Sequence, residues 1–318
     1  MYTIPGGESK TAIGIYFFED RIDTVKLRWN NGDIYLLQAD SEFYSEVNHS
    51  MKSSWRSDYL NRLVDANLGA DDILRFCIPQ QLTSLRKFRI DPSLLKDFPD
   101  WIEWMAKQHL PSSPEIYYFR YYPVYCAAPD FKNYLVISYP ESSIRPIREH
   151  KLSDNSELPL VDCIALSNLI HLDNRFNSYS SAALLHFDSD RLTCLLFKNG
   201  ILFDCNGISL RYDSDSSPVN RFIEELKTML NFQFRNRRLE DKLGLFLCGR
   251  VNGNFKFLDE LKAHVDANIS YLDLTKIICS DTTGSDETES TCRCSEHAVA
   301  LGAAMDAIKQ PDVEHQTT

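Results

Sequence analysis

Thr11-Ala12-Ile13-Gly14-Ile15-Tyr16-Phe17-Phe18, then Ile22-Asp23-Thr24-Val25-Lys26-Leu27-Arg28-Trp29, then Asn30-Asn31-Gly32-Asp33 and a further apolar run to Asp40, is the stretch whose reading decides the fold. Alternation passing into apolar runs, interrupted by an Asn-Gly dipeptide, predicts strands joined by a tight hairpin turn. The second half opens in a related way. Ala182–His186 and Leu192–Lys198 predict strands, and Asn199-Gly200 leads into a third at Ile201–Asp204.

Between these openings the period changes several times. Leu60–Leu68 predicts a short helix, and Ile73–Pro79 and Leu82–Ile90 predict strands, with a break at Asp91-Pro92. Leu94, Leu95, Phe98, Ile102, Met105 and Ala106 fall at helical spacing before Pro111, and Ile116–Cys126 and Tyr134–Tyr139 predict two more strands. Ile73–Tyr139 therefore reads as a ββαββ unit. Arg145–Leu158 is polar and marks the boundary between two lobes. Beyond it, Leu160–His171, Val219–Phe232, Phe255–His264 and the Ala-rich Glu296–Ile308 predict helices, and Leu243–Cys248 an apolar strand. Ser280–Ser290 carries no apolar residue and predicts a loop, and Gln310–Thr318 a frayed tail. The resulting division is a first lobe over 1–70 and 140–158, an inserted unit over 71–139, a second lobe over 159–309 and a tail over 310–318.

The totals bound the function. A chain of 318 residues with 43% hydrophobic and 25% charged residues has the composition of a folded protein of two or more units. A net charge of −11 repels a phosphate backbone, which excludes nucleic acid as a main partner. No signal peptide opens the sequence and no apolar run of about 18 residues occurs, so a cytoplasmic protein is expected. Most of the nine cysteines sit singly in apolar runs and read as small buried hydrophobes. Cys292-Arg293-Cys294 with His297 lacks the second ligand pair of a zinc site. Gly-x-Ser-x-Gly, Walker, His-Glu-x-x-His and Cys-x-x-Cys motifs are absent from the sequence, which favours a binding protein over a hydrolase.

Gly14-Ile15-Tyr16 with Asp23-Thr24-Val25-Lys26-Leu27 resembles the first strand and turn of the actin-like family. Leu184-Leu185-His186-Phe187-Asp188 with Leu195-Leu196-Phe197-Lys198-Asn199-Gly200 resembles its second phosphate hairpin. Leu245-Phe246-Leu247-Cys248-Gly249 is similar to its nucleoside-binding strand and loop, Val161-Asp162-Cys163-Ile164-Ala165-Leu166 to its entry into the second lobe, and Ala298-Val299-Ala300-Leu301-Gly302-Ala303-Ala304 to its closing helix. Within that superfamily, Ile78-Pro79 through Leu110-Pro111, and Trp101-Ile102-Glu103-Trp104-Met105-Ala106-Lys107-Gln108-His109-Leu110-Pro111 above all, resembles the small inserted domain of PilM-like type IV pilus assembly proteins.

The resemblance implies an α/β, two-lobed actin-like (ribonuclease H-like) fold with a small inserted α+β domain. It also places a vestigial nucleotide site at Gly14, Asp23, Lys26, Asp188, Gly249 and Gly253. The chain departs from the family pattern at Tyr16 and Phe18 in the first hairpin, at His186 and Asp188 in the second, and at Arg250 and Val251 in the nucleoside loop. A phosphate grip needs glycine backbone at such positions. No cofactor is therefore expected, with ATP and magnesium as the alternative, and Glu19, Asp20 and Asp23 as the carboxylates available to the metal. His186, Asp188 and Asp190 read as one polar face at a strand end. Tyr117–Tyr122 and Tyr125 read as core or partner groove.

By the same resemblance, Phe17, Arg86 and Phe88 line a groove that takes a short cytoplasmic peptide of an inner-membrane pilus or secretion platform protein. The chain would then be a scaffold that reaches the membrane only through its partner, with self-association left open. An active ATPase, or the cytoplasmic component of a type II secretion platform, are the competing readings.

Overall fold

The computed structural model describes residues 9–18, 21–43, 59–62, 72–93, 98–111, 115–128, 130–149, 158–188, 191–209, 223–224, 226–230, 243–250, 255–279 and 294–309. Strands β1 (Lys10–Phe17), β2 (Arg21–Asn30) and β3 (Asp33–Phe43) form an antiparallel meander, and β4 (Asp72–Ile78) returns parallel to β1. Between β2 and β3, Asn31 and Gly32 have φ of 51° and 98°, the two positive values that the tightest hairpin turn requires and that Asn-Gly accommodates best.

The unit that follows is a three-stranded antiparallel sheet of β5 (Ser84–Ile90), β6 (Tyr117–Val124) and β7 (Lys132–Pro140) in the order β5-β7-β6. Alternation along β6 sorts its aromatics. Phe119 and Tyr121 meet helix α1 (Phe98–Lys107) in a small core with Phe88, Ile90, Ile102, Ala106 and Val136, whereas Tyr118 and Tyr122 join the main core. Helix α2 (Glu141–Arg148) then leads to β8 (Leu160–Val161) and the short helix α3 (Asp162–Ser167).

The second sheet is built from β9 (Ser181–Phe187), β10 (Arg191–Lys198), β11 (Ile201–Ser209), β12 (Leu243–Gly249) and β13 (Ala267–Tyr271), in the order β11-β10-β9-β12-β13. The first sheet runs β3-β2-β1-β4-β8 in the same sense, with β14 (Ile277–Cys279) added beside β3. In each sheet a three-stranded meander is followed by two parallel strands on the side of its first strand. The turn repeats as well, with φ of 51° at Asn199 and 73° at Gly200. Helix α4 (Phe255–His264) links β12 to β13. Ile223, Leu226 and Leu230, from the helical residues 223–224 and 226–230, close the second core.

Two boundaries differ from those read in the sequence. The strand at Asp72–Ile78, grouped there with the inserted unit, pairs with β1 and β8 instead. Its continuous run Phe76-Cys77-Ile78 is buried, as a strand with neighbours on both sides requires, whereas β6 alternates like a sheet with two different faces. Likewise β8, α3, β14 and the final helix α5 (Ala298–Lys309), all assigned to the second lobe from sequence, belong with the first sheet. Helix α5 lies across β1, β2 and β4. The expected loop at 280–290 and tail at 310–318 lie outside the described residues.

Close packing of α5 depends on missing side chains. A Cβ on Gly14 would stand 2.0 Å from the Ala300 carbonyl oxygen and 2.5 Å from the Ala304 nitrogen, and one on Gly302 would stand 2.0 Å from the Ala165 oxygen. These are backbone atoms, which no rotamer change can clear. Gly14→Ala is expected to lower stability by about 1–3 kcal/mol or more through overpacking, measured as a lower urea midpoint with unchanged slope. An unchanged midpoint would mean that α5 is not seated on β1 as described.

Candidate functional site

The two meanders meet at the ends of their first hairpins, each closed by an equivalent main-chain hydrogen bond. The Phe18 amide donates to the Arg21 carbonyl at 2.9 Å, and the Asp188 amide to the Arg191 carbonyl at 2.8 Å. Each turn thus sets an arginine at the start of its second strand, and both arginines are buried, Arg21 to 2% exposure and Arg191 to 8%.

Arg21 joins the two hairpins. Its Nε donates to both oxygens of Asp23 at 3.1 Å, and its Nη2 to Asp188 Oδ1 at 2.8 Å and Oδ2 at 2.9 Å. Asp23 and Asp188 are 2% and 7% exposed, and the guanidinium also lies 4.7 Å from the centroid of the Phe18 ring. Burial works against the charged guanidinium, but the two carboxylates overcome it and raise the arginine pKa above its ordinary range.

A second set of groups fixes Asp23 from the other side. Ser41 Oγ donates to Asp23 Oδ1 at 2.6 Å and accepts from Arg250 Nη2 at 3.2 Å. His297 Nε2 lies 3.1 Å from the same hydroxyl. With the Ser41 proton committed to Asp23, the ring nitrogen facing it must carry the hydrogen. Ser41 is therefore a fully engaged bridge between Asp23, Arg250 and His297.

Gly249 has φ of 89°, and a Cβ there would fall 2.2 Å from the Phe187 oxygen and 2.9 Å from His186 Cδ2. Its freedom lets β12 turn tightly against β9, with the Arg250 amide donating to the Phe187 carbonyl at 2.9 Å.

Arg191 faces a separate buried group. Asp162 accepts from the Cys163 amide at 2.7 Å, and Arg191 and the Gln80 backbone also favour its charged form. The Gln80 amide, turned so that its oxygen accepts from Arg191 and from the Gly207 amide, completes this contact between the two sheets. Burial nevertheless pushes the Asp162 carboxyl up to about 6, and it pushes the imidazole of His186 down to about 4.

Of the residues expected at a nucleotide site, Asp23 and Asp188 meet at Arg21, and Gly249 lies beside the second hairpin. Gly14 is covered by α5, and Lys26 forms an ion pair with Asp72 at 2.7 Å. Gly253, Glu19, Asp20, Asp190 and Cys292 lie outside the described residues. Among the described residues no group of three potential metal ligands is found. The expected peptide groove is not assembled from its three residues. Phe17 is fully buried and stacked on Phe76, and Phe88 lies under α1 in the small core. Both occupy inward positions of their strands, which leaves Arg86 exposed without them.

Among the described residues, the space between the two carboxylates is held by the guanidinium, and the aromatic rings of Tyr16 and Phe18 stand 5.7 Å apart. Arg21 itself escapes the sequence reading. The signal for it is a repeat, Phe18-Glu19-Asp20-Arg21-Ile22 against Asp188-Ser189-Asp190-Arg191-Leu192, which aligns the two arginines.

Two facing sheets of matching strand order, an insertion after β4 and a closing helix on the first sheet define a two-lobed actin-like fold. The comparisons agree. A solved PilM–PilN type IV pilus biogenesis complex superposes with a TM-score of 0.73 at 13% identity, covering 94% of this chain and 99% of that one. A Bacteroides thetaiotaomicron protein described as having an actin-like ATPase fold and unknown function superposes with a TM-score of 0.54 at 10% identity, covering 92% and 95%. The fold is thus the PilM-like form of the actin-like plan. No protein-family model and no curated protein sequence matches the chain. No helix among the described residues is long and apolar enough to cross a membrane.

Two consequences can be measured. Removing one member of a buried ion pair typically costs about 3–5 kcal/mol, so Arg21→Met should lower the urea midpoint by that equivalent, and Lys227→Met on the surface should not. The pH dependence has two opposed parts. The unfolded chain protonates His186 below about 6.5, whereas the folded one resists until about 4, so its contribution is lost as pH falls through that window. The folded chain holds the Asp162 proton up to about 6, well above the unfolded value, so Asp162 lowers stability as pH rises towards 6. Asp162→Asn should therefore gain stability relative to the parent as pH is raised from 4 to 6. A difference that stays flat across that range would contradict the burial of Asp162.

Proposed function

We propose that this chain is a cytoplasmic scaffold of a type IV pilus or related secretion platform, bound to a short cytoplasmic segment of an inner-membrane partner, and that it works without hydrolysing nucleotide. The observation that carries the reading is the Arg21 bridge, which joins the hairpins of the two lobes through Asp23 and Asp188 and fills the space between them. A protein whose lobes are held together by its own side chain has no need of nucleotide to bring them together. Its role then falls to its surfaces.

The partner is proposed on the likeness in fold to the PilM–PilN complex, over nearly the whole of both chains. With Phe17 and Phe88 buried, the docking surface is a different one from the three-residue groove, and it retains the exposed Arg86 on β5, an outer strand of the inserted sheet. An extended segment can add to such an edge through backbone hydrogen bonds while alternate side chains set specificity.

Two assays on the purified wild-type protein test this. Thermal shift with millimolar Mg-ATP should show no change, where a ligand at about 100 times its dissociation constant would add roughly 2.7 kcal/mol. Fluorescence anisotropy with labelled peptides spanning the cytoplasmic segments of the source cell's pilus and secretion membrane proteins should identify one saturable binder. A clear nucleotide shift would replace the scaffold with a working ATPase. Failure of every peptide would remove the membrane partner.

A further inference from the structure

We propose that Arg21 is the resident cation of the inter-lobe cleft, standing in the place a divalent ion would take between Asp23 and Asp188 and making closure of the two lobes independent of any bound ligand. The geometry is that of two carboxylates converging on one positive centre. Four carboxylate oxygens, two from each lobe, lie 2.8 to 3.1 Å from the guanidinium nitrogens. Carboxylate oxygens are also the donors that hard divalent cations prefer, and Ser41 adds a hydroxyl 2.6 Å from Asp23.

Asp23 has a partner besides Arg21. Ser41 holds it and is itself held by Arg250 and His297, while the Asp188 amide, donating to the Arg191 carbonyl, fixes the main chain that carries the second carboxylate. Shortening Arg21 would remove the guanidinium hydrogen bonds from both buried carboxylates, while Arg250 Nη2 stays 3.9 Å from Asp23. Buried like charges repel more strongly than exposed ones, and a divalent ion of the right size relieves them. The arginine spares the protein that requirement. It supplies the charge covalently, so closure does not vary with ion or nucleotide concentration.

Manganese is the probe, used on the whole wild-type chain and three variants. In EDTA, Arg21→Ala should melt lower by on the order of 10 °C, and millimolar Mn2+ should restore at least half of that loss. Asp188→Asn added to Arg21→Ala should abolish the restoration. Arg21→Met, whose side chain fills the space, should melt low with or without Mn2+, and the wild-type protein should show no Mn2+-dependent shift. Mn2+ electron paramagnetic resonance should count one bound ion per chain in Arg21→Ala and none in the wild type. If Arg21→Ala does not fold in EDTA, its refolding from urea with and without Mn2+ gives the same answer. Folded Arg21→Ala that ignores Mn2+, refolding that Mn2+ does not improve, or stoichiometric Mn2+ at this site in the wild type would each overturn the inference. The readout is cation binding by the chain alone, so it separates from the partner reading: peptide binding can succeed where the manganese rescue fails, and the reverse.

Discussion

A guanidinium enclosed by two aspartates is an expensive arrangement unless every charge in it is answered. Taking Arg21, Asp23 and Asp188 out of water costs several kcal/mol for each ion, and only close, multiple hydrogen bonds offset it. Here each carboxylate receives Arg21 through both oxygens, and Asp23 receives Ser41 as well. The planar fork of arginine suits this duty, since it serves two carboxylates in different directions from one rigid group. Net stability is not where such a cluster contributes most. Its effect lies in geometry, because departures from this arrangement would strand a buried charge.

The rest of the molecule gives that cluster a fixed frame. Both hairpins present their ends from sheets of the same strand order, so the turn that sets Arg21 is repeated by the turn that sets Arg191. The two arginines then diverge in partner. Arg21 crosses to the other lobe's Asp188, whereas Arg191 donates to the Gln80 amide oxygen, so the two arginines make their contacts at different points. Between them, the closing helix reaches the backbone of β1 at Gly14 and of α3 at Gly302, where a methyl group would already collide.

Much of this was legible in the residues. The Asn-Gly turns, the strand meanders, the inserted sheet with its helix and the small-residue final helix all follow from period and turn chemistry, whereas the two-lobed actin-like fold came from the family resemblance. What failed to show was long-range partnership. Asp72–Ile78 is a strand in either assignment, and only its unbroken burial at Phe76-Cys77-Ile78 hints that it belongs between two neighbours. The three-residue β14 is too short to carry a periodic signal, and its place beside β3 is set by tertiary pairing. At the site, Asp188 was visible as a carboxylate out of place in a phosphate hairpin, but its neutralising partner lies in the other lobe. Phe17 and Phe88 carried a groove by resemblance, and the burial of both in separate cores shows why ring positions on a strand favour packing.

The interleaving of the chain has a consequence for how it is made. The first sheet opens with the earliest strands, yet its outer strand β14 and the helix that covers β1 come from the far end of the sequence. During synthesis the apolar faces of β1 and β2 must wait, uncovered, until α5 has left the ribosome, whereas the inserted sheet and the meander of the second lobe draw on nearby residues. Vectorial production therefore favours assembly of the middle of the molecule before its beginning. The nascent amino-terminal strands would be the segment most in need of chaperone cover.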